Sequence, residues 1–257
     1  MSIKKRILDR ELTIGSWVSF AYSATCEQMA KNKFDWLVID MEHTGIDFSA
    51  SENLIRIIEL AGCVPLVRLP YNDANIIKKI MDIGAHGILV PMVMNRVDAE
   101  RAVDAVYYPP RGSRGVGLYR AQQYGRGFDE YKEWASSEPI VIVQIEHITA
   151  VENIEEILSV EGVDGFIIGP YDLSGSLNLP GQFKHPSVLE ALSRLEEILQ
   201  KSEKVGGYHV VQPELSELGN KIEQGYRFIA YGADMIFFSQ ELSKVQASLN
   251  KIKEEKS

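Results

Sequence analysis

Short apolar, β-branched runs alternate with amphipathic stretches from one end of the chain to the other. The runs at Thr13–Val18, Trp36–Asp40, Val64–Leu69, Gly87–Val90, Ile140–Glu146, Gly165–Ile168, Gly206–Val210 and Phe228–Tyr231 predict eight strands. Several are continuously apolar rather than alternating, as expected of a parallel sheet buried on both faces. The stretches between them predict helices. Ser49–Ala61 opens with Ser49-x-x-Glu52 as a capping box and stops at Gly62, Asn75–Ile83 stops at Gly84, and Val188–Gln200 shows heptad-like apolar spacing. Eight strand–helix units in 257 residues predict a single α/β domain over residues 1–257, a closed (β/α)₈ (TIM) barrel. An open doubly wound sheet is the alternative, but it calls for a G-x-G-x-x-G turn after an early strand, and none is present.

One stretch breaks the rhythm. Residues 106–128 (VYYPPRGSRGVGLYRAQQYGRGF) carry four Arg, four Tyr and five Gly between the fourth helix and the fifth strand. A connection of this length predicts a functional or interface loop, with an irregular excursion packed on the barrel as the alternative.

Composition narrows the function. A net charge of −9 argues against nucleic acid or an anionic membrane as partner, while leaving room for a local arginine to hold a small anion. The two cysteines, Cys26 and Cys63, lack metal or redox spacing and read as buried thiols. No run of 18 apolar residues occurs and the first residues lack an apolar signal core, so a cytoplasmic location is expected.

In a barrel of this kind the strands' C-terminal ends line the active site. Strand two ends in Asp40-Met41-Glu42-His43 and strand three in Arg68. Strand five delivers Gln144 and Glu146 on one face, Gly169-Pro170-Tyr171-Asp172 follows strand six, and strand seven ends in His209. Glu146 and Asp172 would form an oxygen-only, partly filled coordination sphere suited to Mg²⁺ or Mn²⁺, with Co²⁺ or Zn²⁺ as alternatives. Such an ion would polarise a 2-oxo acid and stabilise its enolate, Arg68 would add fixed positive charge, and His43 is the natural base. No strand ends in lysine, which disfavours imine chemistry.

The segments DMEH (40–43), VRLP (67–70), NDANIIKKIMDIG (72–84), VPMV (90–93), YPPRGSRGVG (108–117), VQIE (143–146) and GPYDLS (169–174) together resemble the metal-dependent (class II) pyruvate aldolases of the HpcH/HpaI family. The resemblance runs from about Gly15 to Phe238. It implies reversible cleavage of a 4-hydroxy-2-oxo acid to pyruvate and an aldehyde, a carbon–carbon lyase reaction. It further implies a homo-oligomer, a hexamer built from dimers that exchange their last helix. Carried over by position, His43 matches the catalytic base, Asp82 the carboxylate that raises its basicity, and Arg68 the enolate-stabilising arginine. Glu146 and Asp172 match the metal ligands, and Gln144 with the backbone at Tyr171–Asp172 matches the groups that hold pyruvate. Arg120 is the best match to an arginine that binds acceptor carboxylates from a neighbouring subunit. From the residues alone, Asp82 reads as a solvent-facing helix position. Tyr171 and Met41 depart from frequent family residues, which leaves the acceptor aldehyde open. His147 and His209 have no assigned role, and His86 and His185 read as surface or turn residues. Two other functions fit the scaffold: a citryl- or malyl-thioester lyase, and a non-catalytic barrel whose Arg/Tyr loop binds a partner.

Overall fold

A computed structural model describes residues 1–256. Eight parallel strands close into one barrel in sequence order: β1 (Thr13–Val18), β2 (Trp36–Asp40), β3 (Val64–Arg68), β4 (Gly87–Val90), β5 (Ile140–Ile145), β6 (Gly165–Ile168), β7 (Val205–Val210) and β8 (Phe228–Ala233). The expected barrel is the fold, and the strand ends differ from expectation by a residue or two.

Because side chains alternate along a strand, each strand feeds two cores. Leu37, Ile39, Val67, Val141 and Val143 point outward into the layer beneath the helices. Trp36, Val38, Leu66, Leu89, Ile140, Ile142, Ile167, Val205 and Phe228 fill the interior. There Trp36 and Phe228 stack with ring centroids 4.0 Å apart. A short first helix, α1 (Ile3–Leu8), lies across the lower end. Its Ile7 joins the interior core, and the buried Lys4 donates from Nζ to the Pro139 carbonyl (2.7 Å) and to Asp164 (2.6 Å).

Helices α2 (Ser23–Lys31), α3 (Phe48–Leu60), α4 (Ala74–Asp82) and α5 (Arg96–Val106) cover the first half of the barrel. The capping box at Ser49 is not formed. Asp47 is the N-cap of α3 and accepts from Ala50 N at 2.8 Å, while Glu52 pairs with Arg56. An aspartate two residues upstream caps the helix equally well, so the helix starts earlier. Asp73 does the same for α4, accepting from Asn75 N and Ile76 N. Gly62 and Gly84 follow their helices with positive φ, as expected.

The 106–128 stretch is an ordered loop carrying one 3₁₀ turn (Gln123–Gly125) before α6 (Phe128–Ser137). It is anchored by the buried Arg114, which stacks on Tyr108 and Tyr131. The second half adds α7 (Ile148–Glu152), α8 (Ile154–Leu158), α9 (Pro170–Ser176), α10 (Pro186–Lys201), α11 (Leu215–Glu223) and the 23-residue α12 (Asp234–Lys256). Both cysteines are buried free thiols. No described helix is long and apolar enough to cross a membrane.

Candidate active site

The alternation that packs the interior also builds the site. Continuing the inward rows of β2, β3, β5, β6 and β7 towards the strands' C-terminal ends reaches Asp40, Arg68, Gln144, Glu146, Gly169 and His209. The top layer of a barrel interior, normally aliphatic, is here polar and charged.

Asp40 and Arg68 are register partners on adjacent strands. The buried Asp40 carboxylate accepts from Arg68 Nε at 2.9 Å and from Nη2 at 2.7 Å, a bidentate pair. Its Oδ1 also accepts from the backbone N–H groups of Glu42 and His43, at 3.0 and 3.3 Å. Burial alone would raise its pKa, but the Arg68 bonds and charge outweigh it and hold the carboxyl below its ordinary range. Arg68 also lies over the Trp17 ring, 4.4 Å from its centroid, and Trp17 packs on His209. The guanidinium is therefore fixed on two sides.

Across the mouth, Glu146 is buried, with Oε1 accepting from Met92 N at 2.7 Å and Oε2 from the Gln144 amide. Met92 takes a positive φ, 52°, to present that N–H. Glu146 has its pKa raised, first by burial and also by the Asp172 charge, against the opposing effects of Gln144, Met92 and Arg68. Asp172 stands in the first turn of α9, exposed, beside an exposed Tyr171 whose ring meets Phe183 edge-on at 4.8 Å.

Glu42 is a functional candidate without an assigned role in the sequence reading. Its Oε2 is 3.2 Å from Arg68 Nη1 but lacks a hydrogen-bonding partner. Burial pushes its pKa up to about 7, with the charges of Glu146, Asp40 and Asp172 adding to the rise and Arg68 opposing it. His43 is largely exposed, its Nε2 3.9 Å from the same Glu42 oxygen. Parity along β1 marks Trp17, whose buried Nε1 also has no partner, and the inward row Trp36, Val38, Asp40 continues to Glu42 just past β2, as the row of β5 continues to Glu146.

Two expected residues are not brought to this mouth within the chain. A helix following a barrel strand runs back down the outside, so Asp82, the last residue of α4, lies towards the opposite end from His43. Its Oδ1 accepts from Gln122, and no hydrogen bond or ion pair joins it to His43 among the described residues. It is half-buried, not solvent-facing. Arg120 bonds the Ile83 carbonyl and pairs with Glu59 on α3, beside His86, which also bonds Glu59. His147 caps α7 through Nδ1 and His185 caps α10, both structural tasks. His209 is mostly enclosed, its Nε2 at 3.2 Å from the Gly232 carbonyl, and burial pushes its pKa down to about 4.

No group of three or more His, Cys, Asp or Glu poised for a metal occurs among the described residues. The donor set nevertheless fits a hard cation completed by water and substrate oxygens. Glu146 and Asp172 offer oxygen only, and the unpartnered Glu42 oxygen adds negative charge to the same space.

A parallel barrel with a clamped arginine and a carboxylate–amide pair at the strands' C-terminal ends is the arrangement of an enzyme acting on small molecules. The model of the HpcH/HpaI aldolase/citrate lyase family matches residues 13–240, and the chain belongs to that family. It is 36% identical over 241 residues to the 2-dehydro-3,6-dideoxy-6-sulfogluconate aldolase of Pseudomonas putida, covering 92% of each chain. It is 35% identical over 236 residues to the hydroxypyruvate/pyruvate aldolase of Roseobacter denitrificans, covering 91% of each. Among solved structures, an HpcH/HpaI aldolase/citrate lyase family protein from Burkholderia cenocepacia J2315 superposes with a TM-score of 0.89 at 30% identity, covering 98% of both chains. Aldolases such as these relatives are carbon–carbon lyases.

Proposed function

We propose that this chain is a class II aldolase that reversibly cleaves a 4-hydroxy-2-oxo acid to pyruvate and an aldehyde. The observation that carries the reading is the clamp on Arg68, which Asp40 and Trp17 hold at the mouth opposite Glu146 and Gln144. A guanidinium fixed in advance can stabilise an enolate oxygen without reorganising during the reaction. In cleavage, His43 takes the proton of the C4 hydroxyl, the C3–C4 bond breaks, and its electrons pass into the enolate. The aldehyde leaves, and His43 returns the proton to C3, giving pyruvate and restoring the base. Gln144 and the unpaired backbone N–H groups at the start of α9 orient the ketone and carboxylate. Glu146 and Asp172 would hold a divalent cation, Mg²⁺ or Mn²⁺, which as a Lewis acid polarises the ketone.

Proton NMR of pyruvate in D₂O tests the reading. Loss of the methyl signal with Mg²⁺, abolished by chelator and by Arg68→Ala or His43→Ala, is the expected result. No exchange with any metal, together with cleavage of a coenzyme A thioester, would replace it with the thioester-lyase reading.

The active form is further proposed to be a cytoplasmic homo-oligomer. Along α12, Phe238, Leu242, Val245, Leu249 and Ile252 recur at intervals of four and three residues, all exposed. Such a stripe calls for burial against a second copy. Assembly would also supply what one chain lacks, an Asp82 within reach of His43. Mixing His43→Ala with Asp82→Asn chains should then restore activity that neither has alone. Failure to complement, in mixtures shown to co-assemble, would place Asp82 outside the chemistry.

A further inference from the structure

The carboxylate of Asp82 has two different surroundings. Its Oδ1 accepts from Gln122 Nε2 at 3.1 Å. Its Oδ2 lies against the Gly117 backbone, 2.8 Å from where a Cβ at that position would stand. The side chain lines a hollow of about 470 Å³ with Phe48, Glu52, Lys79 and Tyr119.

Gln122 is fully buried. The same Nε2 donates to the Tyr108 hydroxyl at 2.9 Å, and Oε1 accepts from Tyr119 N at 3.0 Å. Both donors of the amide are thus used, one of them on Asp82. The loop grips the end of α4 at two further points. Ala121 N donates to the Asp82 carbonyl at 2.9 Å, and the Tyr131 hydroxyl, itself bonded by Arg114, donates to the Met81 carbonyl at 3.3 Å. Closing a loop on a helix end needs only the backbone bonds. Burying an amide to hold a carboxylate that could have been solvated is an added cost, and it leaves one oxygen facing outward.

We infer that Gln122 is a positioning residue, fixing the Asp82 carboxylate with Oδ2 turned to the hollow to receive His43 of a second copy. The inference rests on the reading of Asp82 given above. It also excludes Gly117 as a site for any larger residue, since a side chain there would displace the carboxylate.

Steady-state cleavage by the assembled, metal-loaded enzyme tests it, with thermal melting of each variant. Gln122→Met should lower kcat about ten- to a hundredfold, as sub-ångström to ångström misplacement does, with KM for the 2-oxo acid within about twofold of wild type. Tyr108→Phe removes the amide's other partner and should lower the melting temperature while leaving kcat unchanged. Adding Gln122→Met to Asp82→Asn should slow the enzyme no further. If Asp82→Asn itself keeps full kcat, the reading of Asp82 fails and takes this inference with it. If Asp82→Asn is slow but Gln122→Met is not, the positioning role alone is wrong. A Tyr108→Phe loss equal to that of Gln122→Met, or losses that multiply in the double variant, would reduce Gln122 to a loop staple. Should Gln122→Met not fold, Gln122→Glu, which keeps the volume and the bond to Tyr119 N, carries the same expectations and decides.

Discussion

Replacing Asp40 by alanine removes one partner of a buried pair and leaves the other in place. Arg68 loses two hydrogen bonds of 2.9 and 2.7 Å, and the N–H groups of Glu42 and His43 lose their acceptor. Glu42 is the remaining anion near Arg68, at 3.2 Å from Nη1. Breaking a buried pair in this way costs about 3–5 kcal/mol, far more than an exposed one. For a chain of this size that is a fall of roughly 6–20 °C in melting temperature. The pH dependence fixes the cause. Asp40 has a folded pKa below its ordinary value, so its contribution is present above about pH 4, where the unfolded side chain is ionised, and is lost as pH falls through the folded value. Urea melts of wild type and Asp40→Ala at pH 7 and at stepped pH below 4 should show a gap that narrows with acid. Pyruvate methyl exchange should fall at least a hundredfold, because neither the arginine nor the His43 turn is held. A stability difference under 1 kcal/mol at pH 7, or one that does not narrow in acid, would refute this account of the clamp.

Three other outcomes are expected. Gly169→Ala puts a Cβ 2.9 Å from Glu146 Oε2, and Glu146 is tethered to Met92 N on its other oxygen, so Mn²⁺ affinity by electron paramagnetic resonance should weaken about ten- to a hundredfold. Unchanged binding would remove Glu146 from the metal site. Glu42 has a raised folded pKa, about 7, so its ionisation opposes folding. In chelator, the stability of Glu42→Gln relative to wild type should rise by about 1–3 kcal/mol between pH 4.5 and 7 and then level off; a flat difference across that range contradicts the burial argument. Phe238→Glu with Leu242→Glu should shift the native mass by light scattering towards a monomer with an unchanged far-ultraviolet spectrum, and an unaltered mass would leave the α12 stripe without its proposed partner.

The barrel was legible because each strand is an apolar run of the right length, bounded by turn residues and followed by a helical period. The polar residues ending those runs located the mouth, and parity along β5 correctly put Gln144 and Glu146 on one face. Three things were less accessible. Asp47 and Asp73 stand just ahead of the apolar period, so the helix starts fell outside the windows that periodicity defines. Glu42 continues the inward parity of β2, but its raised pKa depends on burial and on the charges of Arg68, Glu146 and Asp172, which stand on three other elements. For Asp82 and Arg120 the resemblance supplied a role without a location, although the direction of α4 relative to β3 already sends its last residue away from the mouth.

The Lys4–Asp164 pair closes the lower end of the barrel, and the packed apolar interior separates it from the charged mouth. Charges at the rim therefore have low-polarisability material beneath them and water only above, so their field is directed outward. Four carboxylates (Asp40, Glu42, Glu146 and Asp172) and one tethered guanidinium share that rim, which makes it an attractor for cations before it attracts anions. A doubly charged ion held by Glu146 and Asp172 would offset most of that negative charge. A cation held there first would lower the repulsion that the rim presents to an anionic 2-oxo acid.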